Sequence, residues 1–471
     1  MIVRVRAFTV VLSLIPLLAS SMSSAGQLPG QEPSPFLGSV PTGEATGTTL
    51  QLPLRDALDR ALKHNLGLIQ SDQDTRTAHA TRLRSLSDLL PDVSGQVSGT
   101  REQISLKAAG FDVSIPGLNI PSVVGPFSIA DARLYVSQQI FNLSDIRNWK
   151  SAAESERAAR YSYKSDRDLV VLAAGNAYLV VISDHATVES TRAQVTTAGA
   201  LHDRARDQNQ AGVVAGIDVL RAQVELQTQQ QRLIAAESQL AIDKLALARI
   251  IGLPKGQPFE VTDTIPFAPL DGITLDQALS QAYATRPDYL GAHAHVRAAE
   301  LARQSAVAAN YPWLSTEANY GDIGSPNFGS SHGTFSAALT LNVPIFQGTR
   351  VRADTLKADA ALKQRKAELA DLDGKVDEQV RVAFLKLASS SDLVTVAQSN
   401  IGLANQTLTQ ARDRFSAGVA ANLEVVQAQE SVAAANQSYI ASLYAYNFAK
   451  ISLAQAIGIA EQSALTYLGA K

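Results

Sequence analysis

Two stretches of this 471-residue chain set charges around a glycine in the same order. Arg204 and Arg206 precede Ala211-Gly212-Val213-Val214, and Asp218 follows; Arg412 and Arg414 precede Ala417-Gly418-Val419, and Glu424 follows. On helices this is end chemistry: cations suit a C-terminus, acids an N-terminus, and glycine supplies the left-handed cap. Gathered around a pore, the same groups would focus cations and set selectivity. The rest of the chain offers little for catalysis. It has no phosphate-cradling Gly-Lys-Ser/Thr loop, no HExxH, no CxxC and no GxSxG elbow. His293 and His295 are two apart, which puts them on different faces of a helix. The remaining histidines, at 64, 79, 185, 202 and 332, are scattered. The chain does not read as an enzyme, and neither a metal nor another cofactor is expected.

The elements that position those turns begin with an export signal. Arg4 and Arg6 precede an apolar run from Ala7 to Ala19 and the small residues Ser23-Ser24-Ala25, which reads as a secretory signal peptide, residues 1–25, cut after Ala25. That run is shorter than the roughly 20 residues a spanning helix needs, and no transmembrane helix is expected elsewhere. Met1 and Met22 leave with the signal and there is no cysteine, so the mature chain has no soft ligand for copper(I) and no acceptor for an N-terminal lipid. The cut removes two arginines and no acid, taking the formal charge from −3 to −5; no nucleic-acid partner is expected. Residues 26–49 form a Pro/Gly-rich leader, expected to be poorly ordered or to hug a wall.

Most of the mature chain is one unit written twice. Leu54-Arg-Asp-Ala-Leu58 recurs as Leu275-Asp-Gln-Ala-Leu279, and Leu90-Pro91 as Tyr311-Pro312, both 221 residues on. The glycine turns, and Ile250-Ile-Gly252 with Ala456-Ile-Gly458, recur at an offset of 206, because the first copy carries a longer insert between Gly99 and Ser128. The repeats span residues 50–252 and 273–458, joined by an equatorial linker over 253–272 and followed by a short tail over 459–471.

Each copy reads helix, β-hairpin, very long helix, turn, helix. The first helix is expected over 54–90 and 275–310, stopped by Pro91 or Pro312. The long helix runs over 144–209 and 348–416, and the last over 216–251 and 421–457, capped by Gly252 or Gly458. At 1.5 Å per residue the long helices reach roughly 100 Å and the shorter ones roughly 55 Å, so two short helices end to end match one long one. Their narrow apolar seams suit side-by-side packing in a hollow wall.

Between the helices the period changes from 3.6 to 2. Phe335, Ala337, Leu339, Leu341 and Val343 alternate with Thr334, Ser336, Ala338, Thr340 and Asn342. Ala132, Leu134, Val136 and Ile140 alternate with Arg133, Tyr135, Ser137 and Gln139. Strands of outer-membrane barrels alternate lipid-facing and lumen-facing residues in this way; a half-buried soluble sheet does so too. Phe141, Tyr311, Trp313, Tyr320 and Phe346 stand near strand ends, where an aromatic girdle belongs. Four strands cannot close a barrel and lipid tolerates no open edge. In a membrane the chain must therefore oligomerise, and two, three or four copies are all compatible with the sequence.

The doubled organisation, Pro91 and Pro312 at helix-to-strand junctions, Pro344-Ile-Phe-Gln-Gly348 and the two glycine turns together resemble the TolC-like outer-membrane efflux proteins. Gln139-Ile-Phe-Asn142 in the first copy lacks the proline and glycine of that signature. The resemblance implies a homotrimer: a twelve-strand transmembrane β-barrel on a twelve-helix periplasmic α-barrel, with four strands and long coiled-coil helices from each subunit. It implies an exit duct in the outer membrane, in contact with its lipid and recruited by a periplasmic adaptor (membrane fusion protein) and an inner-membrane transporter of RND, ABC or MFS type, in tripartite efflux or type I secretion. A self-standing porin and a soluble periplasmic coiled-coil scaffold are the alternatives.

The same resemblance places Asp218, Glu424, Gln427, Phe415, Arg412, Arg414 and Arg206 at the periplasmic entrance. Gln427 stands where the best-known member has a second acid, Ala420 where it has a gating arginine, and Phe415 where it has a tyrosine, so the closed-state bonds are expected to differ. Gly212, Val213, Val214, Gly418 and Val419 would meet the adaptor, because exposed apolar residues on a helical tip need a partner. Phe335, Leu339, Leu341, Val343, Leu134 and Val136 would face lipid.

Overall fold

The structure, a computed structural model, describes residues 34–108, 110, 121–264, 267–270, 272–326, 331–417, 419 and 422–469. The signal segment, the first residues of the leader, Gly418 and Ala420 lie outside the described residues. In chain order the elements are β1 (Leu50–Leu52), α1 (Leu54–His64), α2 (Leu66–Ser87), β2 (Asp92–Ser105), β3 (Val123–Phe141), α3 (Leu143–Gln210), α4 (Gly216–Ile251), β4 (Phe259–Val261), α5 (Leu275–Thr285), α6 (Pro287–Ala308), β5 (Trp313–Gly324), β6 (His332–Asn342), α7 (Arg350–Ser416), α8 (Asn422–Ile457) and α9 (Ala460–Leu468).

The expected first helix of each copy is not continuous. Asn65 separates α1 from α2: its side-chain oxygen accepts the Gly67 N–H at 2.9 Å while its amide donates to the Phe36 carbonyl at 2.7 Å. This N-cap satisfies donors that a continuous helix would have spent internally, and it is fully buried. In the second copy the break falls at Arg286, because Pro287 has no N–H to extend α5 and fits the first position of a new helix.

α3 has 68 residues and α7 has 67, uninterrupted. Alongside them, α2 and α6 have 22 residues each and α4 and α8 have 36 each. The helices pack side by side as a curtain. Next to the strands the order is α2–α3–α6–α7, and toward the glycine turns it is α4–α3–α8–α7. The membrane-type sheet has the matching order β2–β3–β5–β6, antiparallel throughout. The first hairpin, with strands of 14 and 19 residues against 12 and 11, holds the extra length behind the change in repeat offset.

Where the short helices meet, a belt wraps the curtain. β1 pairs in parallel with β4, tying the start of the first copy to the linker. Tyr178 is fully buried there, with its hydroxyl 2.8 Å from the Asp263 carboxylate and 2.9 Å from the Leu52 carbonyl. The Asp263 carboxylate also accepts the Leu54 N–H at 2.6 Å. From Pro35 onward the leader lies against this belt, Phe36 packing on the core and Val40 N–H donating to the His64 carbonyl. One 18-residue window of α3 reaches a mean hydropathy of 1.5, apolar enough to span a bilayer by composition and contrary to expectation. Belt-level α3 explains it: Val170, Val171, Ala174 and Tyr178 are at most 1% exposed inside the protein.

The tail is a helix. α9 docks on α3 through Arg167, whose guanidinium donates to both Glu461 oxygens at 2.7 and 2.5 Å, and through Asp168, which accepts the Glu461 N–H at 2.9 Å. Gly458 turns the chain into α9 at φ +83°, where a Cβ would come within 2.6 Å of Arg286 Cα. Burial pushes the Asp168 carboxyl up to about 6. Folding thus tightens its hold on a proton, so the native state should gain stability as the pH falls from about 6 toward 4, by at most about 3 kcal/mol. Asp168→Asn should remove that dependence while keeping an acceptor for Glu461. Hydrogen exchange of the α9 amides in both proteins across this range checks it, and parallel pH profiles would rule Asp168 out as the source.

Candidate functional site

The register of the sheet sorts its residues into two faces on all four strands. Val93 opposes Val136, Val136 opposes Ala318 and Ala318 opposes Ala337; Gly95, Leu134, Tyr320 and Phe335 form the next row. Beyond a shift in register between Gln139 and Phe141, Phe141 opposes Leu314, and Leu314 opposes Leu341. Of the expected lipid-facing residues, Val343 stands just past the end of β6, and Phe335, Leu339, Leu341, Leu134 and Val136 fall on this face. Its exposure is high: Phe335 80%, Leu339 68% and Leu134 57%. Val93, Val97, Leu314 and Tyr320 share it, although glycines and threonines break the alternation on their strands. The opposite face carries Ser94, Gln96, Arg133, Tyr135, Ser137, Glu317, Asn319, Ser336 and Thr340.

At the far end of the curtain, α3 closes in a Schellman motif. Gly212 takes φ +76°, its N–H donates to the Asn209 carbonyl at 2.9 Å, and the Val213 N–H donates to the Gln208 carbonyl at 2.8 Å. α7 ends alike, with the Val419 N–H on the Arg414 carbonyl at 3.0 Å. These bonds satisfy helix-end carbonyls and leave Val213 and Val419 projecting, 70% and 69% exposed. Val214 is half-buried and gives its carbonyl to the Asn209 side chain.

The charged positions part company. Asp218 and Glu424 both stand in the first turn of their helices. Asp218 pairs with Arg221 on its own helix at 3.4 Å, whereas Glu424 reaches across the turn to Arg414 at 3.5 Å. Arg206 lies between Asp203 and Asp207, at 3.9 and 3.8 Å. Gln427 is exposed. Two residues expected at the entrance turn inward. Phe415 packs on Leu408, Ala411, Val425 and Ala428. Arg412 lines a cavity of about 430 Å³ between the two helix pairs, with Glu225, Gln229 and Gln429. Those three are at least 92% buried; Gln229 donates to Glu225 at 2.8 Å, and the Oε1 atoms of Gln229 and Gln429 have no protein partner. Nothing in the Gln-rich stretch 225–231 marked two of its members as interior. Closer to the belt, Asp184 is pushed up to about 7 by burial and by the neighbouring Asp243 carboxyl. Among the described residues no group of His, Asp and Glu is arranged to hold a metal ion.

A doubled helix-and-hairpin curtain with a two-faced sheet at one end narrows the family, and comparison settles it. The family model described as outer membrane efflux protein matches residues 57–253 and 278–459. The chain belongs to this family. The efflux protein is 25% identical over 393 residues to the toluene efflux pump outer membrane protein TtgC of Pseudomonas putida, covering 79% of this chain and 76% of that one. It is 24% identical over 422 residues to the pyoverdine export outer membrane protein OpmQ of Pseudomonas aeruginosa, covering 87% and 86%. In fold it matches the Campylobacter jejuni CmeC outer membrane channel with a TM-score of 0.74 at 17% identity, over 93% of this chain and 94% of that one. The efflux protein is thus an outer-membrane channel with a large helical portion in the periplasm.

Proposed function

We propose that three copies close head to tail into one duct, which a periplasmic adaptor couples to an inner-membrane transporter. The observation that carries this is the pair of open edges. β2 and α2 with α4 form one edge, and β6 with α7 forms the other. Both helical edges carry apolar residues at coiled-coil spacing that nothing among the described residues covers: Ile217, Leu220, Val224 and Leu245 on α4, and Val382, Leu385, Val396 and Leu403 on α7, each 40–72% exposed. Unlike edges on one molecule make a heterologous contact, and such contacts form a ring when the rotation between neighbours closes. In a barrel, which leaves no strand edge in lipid, it must close. Two copies would supply eight strands, enough only for a barrel filled by its own side chains. Three give a lumen.

In this reading the polar face of the sheet lines the channel and Asp218 and Glu424 ring the periplasmic mouth, with the Arg414–Glu424 pair a contact to be broken on opening. Val213, Val214, Val419 and the two turn glycines, Gly212 and Gly418, meet the adaptor. Relatives named for cargoes as unlike as toluene and pyoverdine are similar to this chain over most of its length, which favours a conduit whose cargo is selected by the pump upstream.

The ring is tested at its edge. Val396→Asp with Leu403→Asp puts two carboxylates into each seam, where an unpartnered buried charge costs several kcal/mol. Light scattering of the detergent-solubilised protein should give a helical monomer in place of the trimer. A trimer of unchanged mass would refute this use of the α7 edge.

A further inference from the structure

We infer that the efflux protein holds an anionic phospholipid of the inner leaflet in a pocket where its sheet meets its helices. The pocket has a volume of about 700 Å³. Its upper wall is Phe141, Leu314 and Leu341, one row of the apolar face of the sheet. Its lower wall comes from α3 and α6 and carries Arg147 and Arg303, and Trp313 lies between the two.

The two arginines are not equivalent. Arg303 is neutralised by Asp359 on α7. Arg147 donates to the Gln304 side-chain oxygen, and no carboxylate pairs with it among the described residues. A guanidinium has five donors in a fixed fork, so the bond to Gln304 leaves most of them for an oxyanion. A cation directly below an apolar, aromatic wall matches the order of a phospholipid at the interface: phosphodiester, then acyl chain. A second copy of the chain is not the occupant the position favours. Apart from Leu341, the lining belongs to β3, β5, α3 and α6 and the junctions between them, the middle of the curtain, away from the edges α2, α7 and β2.

This inference rests on the sheet's apolar face lying in lipid, and the experiment separates the two. The chain has two tryptophans, Trp149 and Trp313. Trp149 Nε1 is buried without a partner, so Trp149→Phe removes an unsatisfied donor. Trp313 alternates with Leu314 and faces away from the apolar row, so Trp313→Phe clears it and Leu341→Trp sets the sole reporter on the upper wall of the pocket. Trimers of this triple variant are reconstituted into phosphatidylcholine vesicles holding a minor share of brominated phosphatidylglycerol or, in parallel, brominated phosphatidylcholine. The expected result is stronger quenching by the anionic lipid, an enrichment of roughly tenfold for one charge-assisted hydrogen bond to the headgroup. Arg147→Gln should abolish the preference while quenching by bulk brominated phosphatidylcholine persists. Added inorganic phosphate should leave the preference standing; if it erases it, the site binds the free anion and the lipid assignment falls. Equal quenching by the two lipids, or a preference that survives Arg147→Gln, overturns the site but leaves the sheet in lipid. No quenching by either lipid overturns the placement of the sheet itself.

Discussion

Cells whose only copy of this channel carries Val213→Asp and Val419→Asp should be as sensitive to a toxic cargo of its pump as cells lacking it, with the trimer present in the outer membrane at normal amount. Both valines lie just past the end of a long helix, where their N–H groups bond back to helix carbonyls and their side chains are exposed. Their replacement should therefore leave the fold unchanged. Burying a valine is worth about 1.5–3 kcal/mol, and a carboxylate there adds desolvation on top. Affinity for the adaptor should fall by more than about a hundredfold, taking tenfold per 1.4 kcal/mol. Gly212 is a poorer target, because its φ of +76° strains any replacement and mixes a folding defect with a docking defect. The measurement is minimal inhibitory concentration beside trimer abundance in membrane fractions. Full resistance in the double variant would show that the turns do not dock.

The second large effect is expected from one residue and its neighbour in the chain. Leu339→Arg should all but eliminate membrane-inserted trimer, whereas Thr340→Arg should insert normally. Leu339 and Thr340 adjoin on β6 but lie on opposite faces, in the rows of Thr316 and Ser315 respectively. Arginine on the lipid face costs about 2–4 kcal/mol at the bilayer midplane and about 0–1 kcal/mol at its edges. Leu339, one row in from Leu341, falls between these limits, and a trimer bears the cost three times over. Arginine in the lumen meets water and should shift the channel toward anions. Heat-modifiable migration of outer-membrane fractions reads the first effect and reversal potential in planar bilayers the second. Equal insertion of both variants, or the reverse order, would invert the assignment of the two faces.

These residues also show how far the sequence could be read. Period-2 alternation on β6 and on part of β3 sorted those residues onto one exposed face, because a strand's side-chain direction depends only on parity. Val93, Val97 and Tyr320 could be assigned to that face only once the register was known, since Gly95, Gly99 and Thr316 interrupt the pattern. The limits of α4, Gly216 to Ile251, were legible from its glycine cap. The break at Asn65 was not, since a buried asparagine that reaches 29 residues back to Phe36 leaves no local trace. Pro287 did carry a local signal for the second break, since proline cannot extend a helix and suits the first position of a new one. At the tip, type and spacing located the turns, but whether an arginine faces water or a cavity depends on the helix across the seam. Arg412 and Arg414 are two residues apart and do opposite things.

The sheet's pairing order has a consequence for how the molecule comes into being. β3 ends at Phe141 and its partner β5 begins at Trp313, with α3, α4, the linker, α5 and α6 between them. The β2–β3 and β5–β6 hairpins are local and can form as soon as each is synthesised, but the seam that joins them waits until the whole first repeat and the start of the second, through β5, have crossed into the periplasm. Loop closure of that length is slow, and until it is complete β3 exposes an unpaired edge beside an apolar face. The nascent chain is therefore at its most aggregation-prone in transit, midway through its own export, and that interval is when a periplasmic holding chaperone has the most to protect.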